Sequence, residues 1–251
     1  MDENKIIETY KSNKSLTKTA GILGIGRHKV TNIIKKHGIE IVNYQNLPRV
    51  NEDYFENIDT EQKAYWLGFI YADGCISRGK IEIGLSIKDY DHLVKFKNDV
   101  GYMGDIKFRQ STNSCRIMFG STKMINDLRK YGVHERKSTT KQFPNNIPSE
   151  FLKDFARGYF DGNGCIIKRN LKNGKTKYSL GISCGSKDFL YDFLNAINFD
   201  NRSVKKDKRT ENYSCEWSLK HKEYLNYLYK DSNIYLDRKY SLYEKAINMP
   251  S

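Results

Sequence analysis

The chain has 251 residues, with 43 Lys and Arg against 30 Asp and Glu and a formal net charge of +13. With 38% hydrophobic and 13% aromatic residues, it can bury a core and does not read as disordered. No stretch approaches the ~18 apolar residues of a spanning helix. The first thirty residues are polar and lysine-rich, unlike a secretion signal. Five cysteines at 75, 115, 165, 184 and 215 lack paired short spacing, which argues against a zinc knuckle or disulfide framework and fits a reducing cytoplasm.

The positive charge is uneven. Residues 1–50 hold nine basic and four acidic side chains, 51–150 hold 15 and 14, and 151–251 hold 19 and 12. Such a surplus favours a polyanionic partner, nucleic acid or an acidic membrane surface.

Residues 1–40 read as three short helices. Their apolar stripes are Ile6, Ile7 and Tyr10, then Leu16, Ala20 and Leu23, then Val30, Ile33 and Ile34, each at helical spacing. Small Ala20 allows close helix approach, and Gly24 suits a left-handed turn before Ile25-Gly26. The pattern resembles a helix-turn-helix domain, in which the second helix of the pair enters the major groove N-terminal end first. That helix, from about Gly26 to Lys36, would expose Arg27, His28, Lys29, Thr31, Asn32 and Lys35. Arg and Lys match guanine edges, Asn matches adenine, and Thr or Lys can hold phosphate. A three-helix module that merely packs on the rest of the chain is the bland alternative. Residues 41–59 then read as a linker: Pro48 blocks helix and no helical period runs through it.

The remainder is a duplication. Trp66-Leu67-Gly68-Phe69-Ile70-Tyr71-Ala72-Asp73-Gly74-Cys75-Ile76 returns as Ala156-Arg157-Gly158-Tyr159-Phe160-Asp161-Gly162-Asn163-Gly164-Cys165-Ile166. Ile83-Gly84-Leu85-Ser86 returns as Leu180-Gly181-Ile182-Ser183, Ser114-Cys115 as Ser214-Cys215, and Arg136-Lys137 as Arg238-Lys239. Within each copy a helix ending at glycine leads into two strands, a helix, two more strands and a closing helix. Alternation carries the strand assignments: Ile81, Ile83, Leu85 and Ile87; Ile106 and Phe108; Cys115, Ile117 and Phe119; then Tyr178, Leu180, Ile182 and Cys184, and Cys215, Trp217 and Leu219. The expected fold is α+β. Each half is a mainly antiparallel four-stranded sheet with helices on its apolar face, over residues 60–148 and 149–251. The opposite faces offer Lys80, Lys107, Arg109, Arg116, Lys177 and Lys205. Two such faces side by side would form a charged trough; an ordinary solvated sheet face is the plain alternative.

The repeated helix, together with Lys137-Ser138 through Phe143-Pro144 and Ile147-Pro148 between the copies, resembles the single-chain, two-motif LAGLIDADG homing endonucleases. The resemblance implies a duplicated αββαββα fold with a pseudo-two-fold axis. It also implies a monomer on a long asymmetric double-stranded DNA site, and Mg²⁺-dependent hydrolysis of phosphodiester bonds. A ~20 base-pair contact would run about 68 Å at ~3.4 Å per pair. Gly68 and Gly158 mid-helix each cost about 1 kcal/mol relative to alanine, which close backbone contact between facing helices would justify. Asp73 matches the family's metal-binding acid. Its counterpart is Asn163, an uncharged ligand that would weaken the second metal, and Asp161 lies on another side of the turn. This leaves three readings: a weakened or nicking nuclease, a DNA-binding regulator that has lost cleavage, or an Asp-to-Asn change introduced to trap a complex. An RNA-binding splicing cofactor is a further possibility that the front module does not favour. Lys137 and Lys239 match the position of basic residues near the scissile phosphate, with solvated surface lysines as the alternative. Cys75 and Cys165 read as partly buried packing residues. The start at Met1, and an end without a splicing Asn, suggest a free-standing protein of a mobile element, prokaryotic or phage-encoded and cytoplasmic.

Overall fold

The computed structural model describes residues 2–41, 50–135, 141–172, 174–198, 203–208, 210, 212–218 and 221–249. The chain divides into two compact units, over residues 1–48 and 49–251.

The first unit is three helices: α1 (Glu3–Asn13), α2 (Leu16–Leu23) and α3 (Arg27–Lys36). Asp2 and Ser15 cap α1 and α2 by accepting from the backbone N–H groups of Asn4 and Lys18, satisfying donors that a helix start leaves open. Gly24 ends α2 at φ +60° with nothing near its missing Cβ, so conformation, not space, explains the glycine. Ile6, Tyr10, Ala20, Val30, Ile33 and Ile34 close a small core of their own.

The second unit holds the duplication. Its first half runs α4 (Glu61–Asp73), β1 (Gly74–Ser77), β2 (Lys80–Ser86), α5 (Tyr90–Asp99), β3 (Lys107–Arg109), β4 (Ser114–Phe119) and α6 (Thr122–Lys130). Its second runs α7 (Leu152–Asn163), β5 (Gly164–Asn170), β6 (Thr176–Cys184), α8 (Lys187–Ala196), β7 (Lys205–Lys206), β8 (Tyr213–Trp217), α9 (His221–Tyr229) and α10 (Asp237–Ile247). Both sheets are antiparallel with equivalent orders, β1-β2-β4-β3 and β5-β6-β8-β7. In β2, buried Ile81, Ile83 and Leu85 alternate with Lys80, Glu82, Gly84 and Ser86 on the open face, the pattern of a sheet covered on one side.

Three expectations are corrected. Residues 50–58, expected as part of a linker, pack into the main unit: Val50, Phe55 and Ile58 are buried in its core, because three apolar side chains spaced through a short segment gain more from burial than from solvent. Residues 42–49 of the expected linker lie outside the described residues. Phe108 is not a core residue; it sits on the edge strand β3, largely exposed, and stacks on Tyr90. The second half does not simply copy the first, since α10 follows α9 and returns Lys239 beneath α7. Leu219 lies outside the described residues.

Candidate active site and nucleic-acid interface

The two motif helices meet through their glycines. A Cβ on Gly68 would stand 2.1 Å from the Phe155 carbonyl oxygen, and one on Gly158 would stand 1.9 Å from that of Tyr65. No side chain fits at either distance, so the backbones of α4 and α7 are in direct contact at both points. One turn further, a Cβ on Gly162 would stand 2.2 Å from the Ala72 Cβ and 3.3 Å from Asp73 Oδ2. The Asp73 carboxylate therefore lies against the last turn of α7, at Gly162. Each helix hands over directly to its sheet, at Gly74 and at Gly164, so both sheets spring from this junction.

Asp73 is exposed and Asn163 half-buried. The two open into different clefts. Asp73 shares one with Glu82, Arg109, Arg116 and Arg238; Asn163 shares the other with Cys75, His134, Lys141 and Ser183. Asn163 Nδ2 donates to the Tyr159 hydroxyl at 3.0 Å, which leaves its amide oxygen as the polar atom to offer. Among the described residues no group of three or more His, Cys, Asp and Glu is placed to hold a metal ion.

Asp161 is fully buried and committed. It accepts from Tyr229 Oη at 2.6 Å, from Tyr65 Oη at 2.7 Å and from the Leu236 backbone N–H at 2.8 Å. Tyr65 Oη in turn lies 3.0 Å from His92 Nε2. The tyrosine gives its one proton to Asp161, so His92 is the donor and stays neutral with Nδ1 unpartnered. Burial, then the nearby Lys95, Arg238 and Lys239, hold the His92 imidazole down to about 3. This chain ties α5, α4, α7 and α9 together and leaves Asp161 buried, away from the surface that Asp73 reaches.

Lys239 is buried. Its ammonium donates to the carbonyl oxygens of Phe160 and Asp161 at 2.6 Å and of Gly164 at 2.5 Å. It closes the C-terminal turn of α7, where carbonyls lack partners. Burial brings it down to about 8, opposed by the charge of Asp161. Neither solvated nor reaching outward, it holds the turn that leads from Asp161 to Gly164. Lys137 lies outside the described residues.

Several structural residues escaped the sequence reading. Arg157, fully buried, pairs with Glu61 at 2.7 Å and Asp154 at 2.9 Å and donates to the Ile234 and Leu228 carbonyls at 2.8 and 3.0 Å. Lys141 is buried as well. The available signal was mismatch between the copies: Arg157 stands where the first copy has Leu67, and Asp161 where it has Tyr71.

On the open faces, Lys80, Lys107, Arg109, Lys177 and Lys205 are exposed and Arg116 half-exposed. Register aligns Lys107 with Arg116, and Lys205 with Ser214. The faces also carry acids: Arg116 pairs with Glu82 at 3.2 Å, and Arg169, which the sequence reading passed over, pairs with Glu216 and Ser179. Contrary to expectation, Cys75 and Cys165 are exposed on these faces, since strands starting at Gly74 and Gly164 put the second residue outward. In the first unit, Arg27, His28, Lys29, Asn32 and Lys35 are exposed along α3; Thr31 is half-exposed, and its hydroxyl donates to the Arg27 carbonyl. No helix among the described residues is long and apolar enough to cross a membrane.

No protein-family model and no curated protein matches the sequence. Solved structures do. The I-LtrWI LAGLIDADG homing endonuclease, crystallised on target DNA, has a TM-score of 0.53 at 13% identity over 79% of this chain and 91% of its own. The LAGLIDADG meganuclease I-AabMI on uncleaved DNA scores 0.53 at 12% identity, covering 72% and 90%. I-SmaMI on uncleaveable DNA scores 0.52 at 14%, covering 73% and 87%. With paired helices meeting at reciprocal glycines and two equivalent sheets rising from their ends, this chain has the LAGLIDADG fold.

Proposed function

We propose that the chain is a site-specific, double-stranded DNA-binding nuclease that hydrolyses phosphodiester bonds with Mg²⁺ at the α4–α7 junction, acting as a monomer. The observation that carries this is the position of Asp73: an exposed carboxylate on the last turn of one motif helix, against the last turn of the other. The fold it shares with DNA-bound endonucleases supports the same reading.

One carboxylate is a poor cage for a cation alone, but it would suit a hard ion that draws its other ligands from water and DNA phosphate, the usual manner of Mg²⁺. Asp73 would hold it, with Asn163 as the weaker, uncharged partner. When bound, such an ion would activate water and offset charge on the leaving oxygen. Around it the chain's own residues have separable tasks. Lys239 fixes the α7 terminus. Lys107, Arg109, Arg116, Lys177 and Lys205 hold the DNA backbone across the sheets, and Lys80 extends the first face. Arg27, His28, Lys29, Asn32 and Lys35 on α3 serve a second DNA contact, with Thr31 hydrogen-bonded within the helix.

The test is incubation of the full chain with supercoiled plasmid carrying its genomic flanks, with Mg²⁺ or EDTA. Nicked or linear plasmid with Mg²⁺ alone is expected; absence of breakage and of any gel shift would overturn the reading. Asn163 specifically favours a second reading, a LAGLIDADG-derived DNA-binding regulator, which predicts a gel shift without breakage.

A further inference from the structure

Lys141 is a cation in an unusual place. It is 5% exposed, with Nζ 5.0 Å from the ring centre of Tyr159, 5.4 Å from Phe189 and 5.6 Å from Tyr71. It makes no hydrogen bond or ion pair with any described residue. Aromatic faces attract an ammonium, but they make up for only part of the water it gives up on burial. Burial accordingly pulls its proton affinity down, against the influence of Cys184 and the charge of Asp73.

Lys141 lines the cleft that Asn163, Cys75, His134, Ser183 and Cys184 also line, and a second one with Arg129 and Lys130. Its nearest ring, Tyr159, accepts the hydrogen bond from Asn163, so Lys141 and Asn163 are two sides of one tyrosine. The duplication makes the charge balance plain. The other buried lysine at the junction, Lys239, is satisfied by three carbonyls and lies near buried Asp161. In the Lys141 cleft the residue that could have been an acid is the amide Asn163. A buried point charge opening on a cleft at the root of two basic sheet faces is suited to phosphate.

We propose that the Lys141 ammonium binds a DNA backbone phosphate on the Asn163 side of the junction. The inference rests on the DNA-binding part of the function proposed above and needs no cleavage. It makes Lys141 a DNA-binding residue whose buried charge is held at a cost to the fold.

Fluorescence anisotropy of a fluorescein-labelled random-sequence duplex across a KCl series tests it, with the full chain and its Lys141→Met and Lys141→Gln variants. Losing one phosphate contact lowers the slope of log affinity against log salt by about 0.9. Lys141→Met should also raise the melting temperature, because an apolar chain suits a cage of three rings better than an ammonium does. A purely structural lysine would give the opposite: a lower melting temperature and an unchanged slope. An unchanged slope in a folded variant overturns the proposal, as does loss of the folded state in both variants. No duplex binding by the unmodified chain would overturn the DNA reading itself and this inference with it.

Discussion

The two motif helices share a backbone contact and differ in nearly all their chemistry. At the contact they are interchangeable: Gly68 lies on the Phe155 carbonyl and Gly158 on that of Tyr65. Elsewhere, Leu67 of α4 is buried among apolar neighbours, whereas its counterpart Arg157 in α7 is a buried cation with two acid partners. Tyr71 donates to the Gln142 carbonyl, whereas its counterpart Asp161 accepts from two tyrosines and a backbone N–H. Asp73 is exposed, and its counterpart is Asn163. The α4 side keeps its acid at the surface over an apolar base. The α7 side has its acid buried and none at the tip. Helix contact tolerates no side chain and so fixes the glycines, while the positions around it are free to exchange apolar packing for polar networks.

Exchanging one copy's residue for the other's should cost most at Arg157. Arg157→Leu, the first-half residue, strands Glu61 and Asp154, and should cost about 3–5 kcal/mol in urea unfolding, the penalty of an orphaned buried charge. Gly68→Ala and Gly158→Ala should each cost about 3 kcal/mol, the upper end of overpacking, although alanine gains ~1 kcal/mol in helix propensity. Equal losses at the two sites would sharpen the claim of symmetric contact; a neutral result at either would break it.

Acid titration probes the polar network that joins the two halves. His92 is held at about 3 when folded and regains its usual value of about 6.5 when unfolded. Between those limits the unfolded chain binds the extra proton, so stability falls as pH drops from about 6.5 toward 3, at on the order of 1 kcal/mol per pH unit. His92→Phe, placed among Tyr65, Trp66 and Phe69, should flatten that limb in pH-dependent unfolding. The smallest effect is the control: Gly21 in α2 has open space around its missing Cβ, so Gly21→Ala should leave the first unit equally stable or stabilise it by up to about 1 kcal/mol.

Much of this architecture was legible because it depends on periodicity and on glycine. The alternation of Ile81, Ile83 and Leu85, the repeat of Gly68 at Gly158, and the step from Asp73 to Gly74 each have one economical structural reading. Phe108 misled because alternation does not distinguish an edge strand from a central one. Cys75 and Cys165 misled because their side depends on where the strand begins. Arg157, Asp161 and Lys141 were illegible as partners, since they meet groups far along the chain, such as Ile234 and Glu61 for Arg157. A charged residue in a buried stripe announces that a partner exists without naming it.

The central claim of the proposed function is that Asp73 supplies the essential charge at the α4–α7 junction, and the residue at 163 governs cleavage on the other side of it. Strand-resolved cleavage of an end-labelled duplex carrying the chain's genomic flanks, in Mg²⁺, tests it most directly. Asn163→Asp should raise breakage of one strand by about tenfold or more, the equivalent of ~1.4 kcal/mol in the barrier, and Asp73→Asn should abolish breakage. Cleavage by Asp73→Asn at the unmodified rate, or no product even from Asn163→Asp, would contradict the account.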